Sequence, residues 1–307
     1  MSAAGTKVGF VGLGTMGWPM SANIARGGYH VVGLDADPDL AQRWATERGQ
    51  TAASGPEAFA DVDVVVTMLP NGAVVRKAIL DGGIADALPD GAVVMDMSSA
   101  EPSATLSLAP ELERRGVALV DAPVSGARPK AIDGTLTIML GGEDEAAIEK
   151  VTPILETMSA NIFRTGPLGS GHAMKALNNY VGGAGFVAAC EALVVGTKFG
   201  LDPAVMIDII NVSTGRNFTT QVAAPNEILP RRFASGFSLA LFTKDIGIAA
   251  DLADELGVEA PVSRLVHDRM RGALEQLDDV VDHSKALTIW EQAAGVTVAP
   301  HEKATQE

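Results

Sequence analysis

Over its first half the chain alternates short apolar runs with helical or glycine-rich segments. Lys7–Gly12, His30–Asp35, Val62–Leu69, Ala92–Met97, Ala118–Ala122 and Thr135–Gly141 have strand length and a β-branched composition. That rhythm predicts an α/β region built on a doubly wound, mainly parallel sheet. Asn161–Thr165 predicts one last strand. Beyond it the period changes, and Ser170–Phe199, Asp202–Val212, Thr243–Leu256 and Ala260–Gln276 all predict helices. The expected organisation is an α/β domain over residues 1–166 and an all-α domain over 167–307. No repeat and no low-complexity linker separates them, so a tight boundary is expected at Gly166–Gly169. The polar tail from Gly295 is expected to fray.

Where the first strand ends, Gly12, Gly14 and Gly17 form G-x-G-x-x-G, with Leu13, Thr15 and Met16 between them and a helical pattern after them. The first glycine lets the chain turn, the second lets a pyrophosphate approach the backbone, and the third lets helix pack on strand. The second strand ends at Asp35, where a carboxylate can accept the hydroxyls of an adenosine ribose; the alternative is a turn former before Asp37-Pro38. Glycines and carboxylate together predict dinucleotide binding. Ala36 follows Asp35, so no adjacent arginine can receive an extra phosphate, and NAD is the expected cofactor.

Composition narrows the partners. A net charge of −15 offers no basic footprint for nucleic acid, so an anionic ligand must be held by backbone amides or a few basic side chains. The apolar stretch Val181–Gly196 is interrupted by Glu191 and falls short of a bilayer span, and no basic start with an apolar core opens the chain. Neither membrane insertion nor secretion is expected. The single cysteine, Cys190, suits a reducing cytoplasm, argues against a cysteine-built metal site and is expected to be a small buried residue.

Three further stretches carry candidate chemistry. In DAPVSGARPKAIDGTL (Asp121–Leu136), Ser125 and Gly126 follow a strand end and offer a hydroxyl and unhindered amides for a carboxylate, or else a simple glycine turn. In GSGHAMKALNNY (Gly169–Tyr180), Lys175 and Asn179 are four apart and share a helix face. The apolar helix beyond them marks Lys175 as a candidate proton donor and acceptor, against the alternative of a lysine reaching water on its long stem. His172 reads as a structural residue. In FTKDIGIAADLADELG (Phe242–Gly257), Lys244 could reach a cofactor or substrate or could be solvated, while Asp245, Asp251 and Asp254 read as a solvated face.

These stretches, in this order and separation, resemble the β-hydroxyacid dehydrogenase family over nearly the whole chain. The family's cofactor signature corresponds to Gly9–Met20, its substrate-binding stretch to Asp121–Leu136, its catalytic stretch to Gly169–Asn179 and its cofactor-side lysine to Lys244. The resemblance implies a Rossmann domain plus a helical domain, an active site in the cleft between them, and homodimers or homotetramers. It implies Lys175 as general acid/base, Asn179 as the residue orienting a small anionic hydroxy-acid substrate, and Ser125 with Gly126 as the carboxylate cradle. It further implies adenosine-side contacts from Leu69 and Pro70 and places Ser98 near the nicotinamide. The implied reaction interconverts a 3-hydroxy acid of 3-hydroxyisobutyrate, tartronate semialdehyde or L-threonate type with its aldehyde or ketone.

The chain departs from the family pattern in the substrate loop. Relatives usually read S-G-G followed by an apolar residue, but here Ala127 and Arg128 follow Gly126, and Lys130 replaces another common glycine. Arg128 and Lys130 either face the substrate and take a second polar or anionic group, or point to solvent at a turn fixed by Pro129. Gly182 stands where 6-phosphogluconate dehydrogenases have a glutamate, which disfavours oxidative decarboxylation. Two other readings stay open: a non-catalytic dinucleotide-binding regulator, and an imine reductase-like enzyme, which the retained Lys175 disfavours.

Overall fold

A computed structural model describes residues 5–301 and divides into two compact units, Met1–Lys175 and Ala176–Glu307. The expected frayed tail lies partly outside the described residues. The first unit is built on nine strands: β1 Lys7–Val11, β2 His30–Leu34, β3 Thr51–Ala52, β4 Val64–Thr67, β5 Val93–Asp96, β6 Ala118–Asp121, β7 Val124–Ser125, β8 Leu136–Gly141 and β9 Ser159–Gly166. Their order is β3-β2-β1-β4-β5-β6-β8-β7, with β9 paired to β8. The six strands from β3 to β6 run parallel, and β8 turns antiparallel to β6 and β7. The mainly parallel α/β sheet is as the sequence pattern predicts. The two-residue strands β3 and β7 escape it because two residues show no period.

The helices of this unit are α1 Gly17–Arg26, α2 Pro38–Arg48, α3 Gly72–Arg76, α4 Ile84–Ala87, α5 Pro102–Glu113, α6 Ala127–Asp133 and α7 Glu145–Glu156. They cover both faces of the sheet, which explains why the strands read as unbroken apolar runs. Along β4, Val64 and Val66 enter a core with Met20 and Ile24 of α1 and Trp44 of α2, while Val65 enters the opposite core with Leu108 and Leu112 of α5. Burial on both faces leaves the strand ends as the places where polar side chains can do chemistry.

One such end holds the next helix. Asp121, the last residue of β6, is fully buried, and its two oxygens accept the Gly169 and His172 N–H groups at 2.8 Å each. These donors belong to the start of α8 Ser170–Phe199, where N–H groups lack intrahelical partners and a negative charge is favoured. Approach is close enough that a Cβ on Gly171 would lie 2.3 Å from the Met139 carbonyl oxygen. The first turns of α8 are therefore tied to the sheet, and the first compact unit runs to Lys175. His172, fully buried, is 2.8 Å from the Thr105 hydroxyl through Nδ1, a structural placement.

The second unit is helical: the remainder of α8, then α9 Pro203–Asn211, a π-helical segment Thr219–Ile228, α10 Leu239–Glu255, α11 Pro261–Leu274, a 3₁₀ turn His283–Ala286 and α12 Leu287–Ala294. Phe186, Cys190 and Leu193 of α8 pack in its core with Phe242, Ile246, Met270 and Trp290. The 30 residues of α8 span about 45 Å at ~1.5 Å per residue. It is long and apolar enough to cross a bilayer, but Phe186, Cys190 and Leu193 are spent on the protein's own core. Cys190 is fully buried, as expected, and burial pushes its thiol well up.

Replacing Asp121 by alanine leaves two buried N–H groups without an acceptor. At ~1–3 kcal/mol for each unsatisfied group, the Asp121→Ala variant is expected to lose about 2–6 kcal/mol. A urea denaturation midpoint equal to wild type would show that the start of α8 is held by something else.

Candidate active site

The glycine-rich turn is shaped by steric limits that differ at each glycine. Gly12 has φ +97°, and a Cβ there would lie 2.4 Å from the Met68 carbonyl oxygen; one on Gly17 would lie 1.8 Å from the Gly12 carbonyl oxygen. Only Gly14 faces open space, with nothing within 4 Å of where a Cβ would be. Gly12 and Gly17 thus close the turn on itself, while Gly14 leaves a bare backbone at the start of α1. Thr15 is exposed, and Met16 occupies the position just before α1. Beside this turn, Asp35 accepts the Leu13 N–H at 2.6 Å through one oxygen and the Asp37 N–H at 3.0 Å through the other. A carboxylate has about four lone-pair positions, so Asp35 retains acceptor capacity for ribose hydroxyls. This arrangement fits a dinucleotide: bare amides at a helix start for the pyrophosphate and a carboxylate at the adjoining strand end.

A second carboxylate braces the neighbouring loop. Asp96, ending β5, accepts the Thr67 hydroxyl at 2.8 Å and the Ser98 N–H at 3.0 Å through one oxygen. Ser98 is fully buried, and its hydroxyl accepts the Leu69 N–H at 2.9 Å. The strand-end segments carrying Leu69 and Ser98 are thereby locked together. Pro70 follows on the exposed side.

The Asp121–Leu136 stretch contains a tighter turn than glycine content alone conveys. Ser125 ends β7 opposite Thr137, Gly126 has φ +136° and Ala127 has φ +54°. Ala127 occupies a left-handed conformation that costs a residue with a Cβ roughly 1–2 kcal/mol. The stem of Lys130 folds back over Gly126, where a Cβ would lie 2.6 Å from the lysine Cδ. The Arg128 side chain lines a cavity with Gly14, Thr15 and Trp18.

On α8, Lys175 is half-buried and Asn179, one turn later, is buried. The Asn179 amide donates to Asp245 at 2.7 Å, and the Lys244 ammonium lies 2.9 Å from the other Asp245 oxygen. Asp245 is only 3% exposed, which corrects its assignment to a solvated face. Phe242, Asp245, Ile246 and Ala249 are all buried at the i, i+3, i+4, i+7 spacing, so Asp245 lies within the apolar stripe of α10. That stripe was the signal for it in the sequence. Asp251 and Asp254 are solvated as expected and both pair with Arg264.

Comparison with known proteins places this arrangement. Residues 7–166 match the family model described as the NAD binding domain of 6-phosphogluconate dehydrogenase, and residues 169–290 match the one described as the NAD-binding region of NADP-dependent 3-hydroxyisobutyrate dehydrogenase. The chain is 35% identical over 294 residues to 2-(hydroxymethyl)glutarate dehydrogenase of Eubacterium barkeri, covering 95% of this chain and 97% of that one. The chain belongs to the β-hydroxyacid dehydrogenase family. A structure of the Mycobacterium tuberculosis 3-hydroxyisobutyrate dehydrogenase with L-serine is similar to this family member with a TM-score of 0.85 at 33% identity, over 93% of this chain and 99% of that one. The 3-sulfolactaldehyde reductase of Escherichia coli is 34% identical over 87% of this chain and 90% of its own length. The protein is an NAD-dependent hydroxyacid dehydrogenase.

The three glycines separate experimentally. Gly14→Ala is expected to keep the wild-type thermal midpoint but weaken NADH binding, because the added methyl enters only the open space over the backbone. Gly17→Ala is expected to lower the midpoint itself. NADH fluorescence titration and thermal melts of both variants check this; equal NADH affinity in Gly14→Ala would refute the placement of the pyrophosphate.

Proposed function

We propose that the enzyme interconverts a small 3-hydroxy acid and its aldehyde or ketone, with Lys175 as general acid/base, Asn179 orienting the substrate, Ser125 and Gly126 holding its carboxylate, and NAD preferred to NADP. The observation that carries this reading is the Asn179 amide locked by Asp245, itself paired with Lys244, one helical turn beyond Lys175. An asparagine whose Nδ2 is committed to a buried carboxylate presents its amide in one orientation, which is what a substrate-positioning group requires. A regulator that only bound the dinucleotide would have no use for it.

In the oxidative direction the Lys175 Nζ takes the proton of the substrate hydroxyl as the carbonyl forms; in reduction it returns that proton. When bound, NAD supplies the hydride acceptor. Asn179 holds the reacting oxygen within reach of the lysine, and the Ser125 hydroxyl with the backbone amides of the following turn anchors the carboxylate. 2-(Hydroxymethyl)glutarate and 3-hydroxyisobutyrate, the compounds in the relatives' names, both carry a primary alcohol one carbon from the carboxylate-bearing carbon. Substrates of 3-hydroxyisobutyrate, tartronate semialdehyde or L-threonate type fit the same cradle. For Arg128 we favour the cavity beside Gly14 over a role in substrate choice, since Ser125 and Gly126 do not line that cavity.

Leu69, Pro70 and Ser98 are assigned to the cofactor as the family resemblance implies, and the bracing of Leu69 by Ser98 supports a fixed loop there. We also infer a homodimer or homotetramer in the cytoplasm. Val181, Val195 and Phe199 of α8 and Ile209 of α9, with Val212 just beyond it, remain exposed, more apolar surface than an isolated helical unit ordinarily leaves in water.

Lys175→Ala is expected to bind NADH as wild type does while turnover falls by about 10²- to 10⁴-fold, the usual contribution of a general acid/base. Normal NADH binding with most of the turnover retained would remove Lys175 from proton transfer. For the cofactor, the Asp35 carboxylate repels the extra phosphate of NADP, so kcat/KM with NAD should exceed that with NADP. Comparable efficiency with both would overturn the reading of Asp35.

A further inference from the structure

Beside the glycine-rich turn, and within the first unit, lies a cavity of about 770 Å³. Gly14 and Thr15 form its rim, and the Trp18 side chain and four arginines, Arg26, Arg43, Arg48 and Arg128, line it. Trp18, Ala22 and Arg26 recur every four residues along α1, Arg43 and Arg48 come from α2, and Arg128 from the first turn of α6. The Arg43 and Arg48 guanidinium groups stack on the Trp18 ring, 5.2 and 5.9 Å from its centre. Arg26 donates to the Asn23 side chain and to the Ile132 carbonyl.

The electrostatics of this cavity are unlike those of the rest of the unit. The first unit holds eight arginines. Arg76 and Arg114 pair with Glu111, Arg115 with Asp86 and Arg164 with Glu145. The other four, 8 − 4, are the four that line the cavity, and among the described residues none has a carboxylate within 4.0 Å. In a chain of net charge −15, acids to neutralise them are plentiful, yet none is placed here. Like charges gathered on a concave surface focus a positive potential that attracts anions. Guanidinium groups stacked on an aromatic face keep their N–H edges free, and the planar fork donates two parallel hydrogen bonds to a carboxylate or phosphate. The volume suits a small molecule.

We propose that this cavity is a binding site for a small multivalent oxyanion, a phosphate ester or a polycarboxylate, additional to the cofactor and the hydroxy-acid substrate. The inference does not rest on the assigned roles of Lys175 or Asn179. Its rim is the cofactor turn itself, so an anion held deeper in the cavity by Arg43, Arg48 and Arg128 lies beside that turn and leaves the Gly14 backbone to the cofactor.

The test is isothermal titration of the full-length protein at low ionic strength with inorganic pyrophosphate and with citrate, repeated with saturating NADH and set against acetate. Saturable binding of one pyrophosphate or citrate per chain is expected, with acetate much weaker and NADH leaving the affinity in place. A tighter pyrophosphate points to a phosphate ester as the natural ligand, a tighter citrate to a polycarboxylate. Arg43→Ala/Arg48→Ala is expected to weaken binding by ~10- to 100-fold while NADH affinity and the thermal midpoint stay at wild-type values. Arg43→Lys/Arg48→Lys keeps the charge but removes the fork, and should fall between the two. No saturable binding, equal affinity in the alanine variant, or displacement of the anion by NADH would each overturn the proposal, the last by assigning the anion to the cofactor's own phosphates.

Discussion

The buried Asp121 carboxylate is the constraint on which the long helix α8 depends. It closes β6, lies wholly out of water, and accepts the two N–H groups that precede and open α8. A carboxylate buried in this way is tolerable only because both of its oxygens are satisfied and because the helix start presents the positive end of the macrodipole. The consequence is positional. With the first turn of α8 held at the sheet edge, the height and rotation of Lys175, within the same unit, are set.

The same device recurs at two other strand ends of the parallel sheet. Asp35 after β2 receives the Leu13 N–H of the glycine turn, and Asp96 at the end of β5 receives the Thr67 hydroxyl and the Ser98 N–H. All three acids stand at carboxyl ends of parallel strands, where such sheets bind ligands. Each ties a neighbouring backbone segment to the rigid core, so the segments that carry the proposed site residues are held without being loose. In the helical unit Asp245 does the equivalent for Asn179, with Lys244 compensating its charge. A buried carboxylate with one charged partner and one amide partner is well provided for, and an asparagine held by it has little rotational freedom.

Much of this was legible along the chain. Continuous apolar runs at strand length, broken by helical periods, implied a parallel sheet covered on both faces, and the switch to a 3.6-residue period implied the helical second half. G-x-G-x-x-G after β1 and the acid at the end of β2 marked a tight turn before α1, because the steric demands there are local: the close approaches of Gly12 and Gly17 involve residues a few positions or one strand away. The α8 boundaries were legible for the same reason, since no proline interrupts its 30 residues.

What escaped the sequence were pairings between distant residues. Asp245 looked solvated beside Asp251 and Asp254; the apolar stripe of α10 marked its buried side, but its partners Asn179 and Lys244 are met only in the folded chain. Asp121 and Gly169 are 48 residues apart, and nothing local marks one as the acceptor of the other. Ala127 gives no sign in composition that it must adopt a positive φ, and Arg26, Arg43, Arg48 and Arg128 come from three helices that only the folded sheet brings to one cavity. Local geometry and periodicity are properties of neighbouring residues and can be read in order. Which charges lose their water, and which carboxylate meets which amide, is decided only when the chain closes on itself.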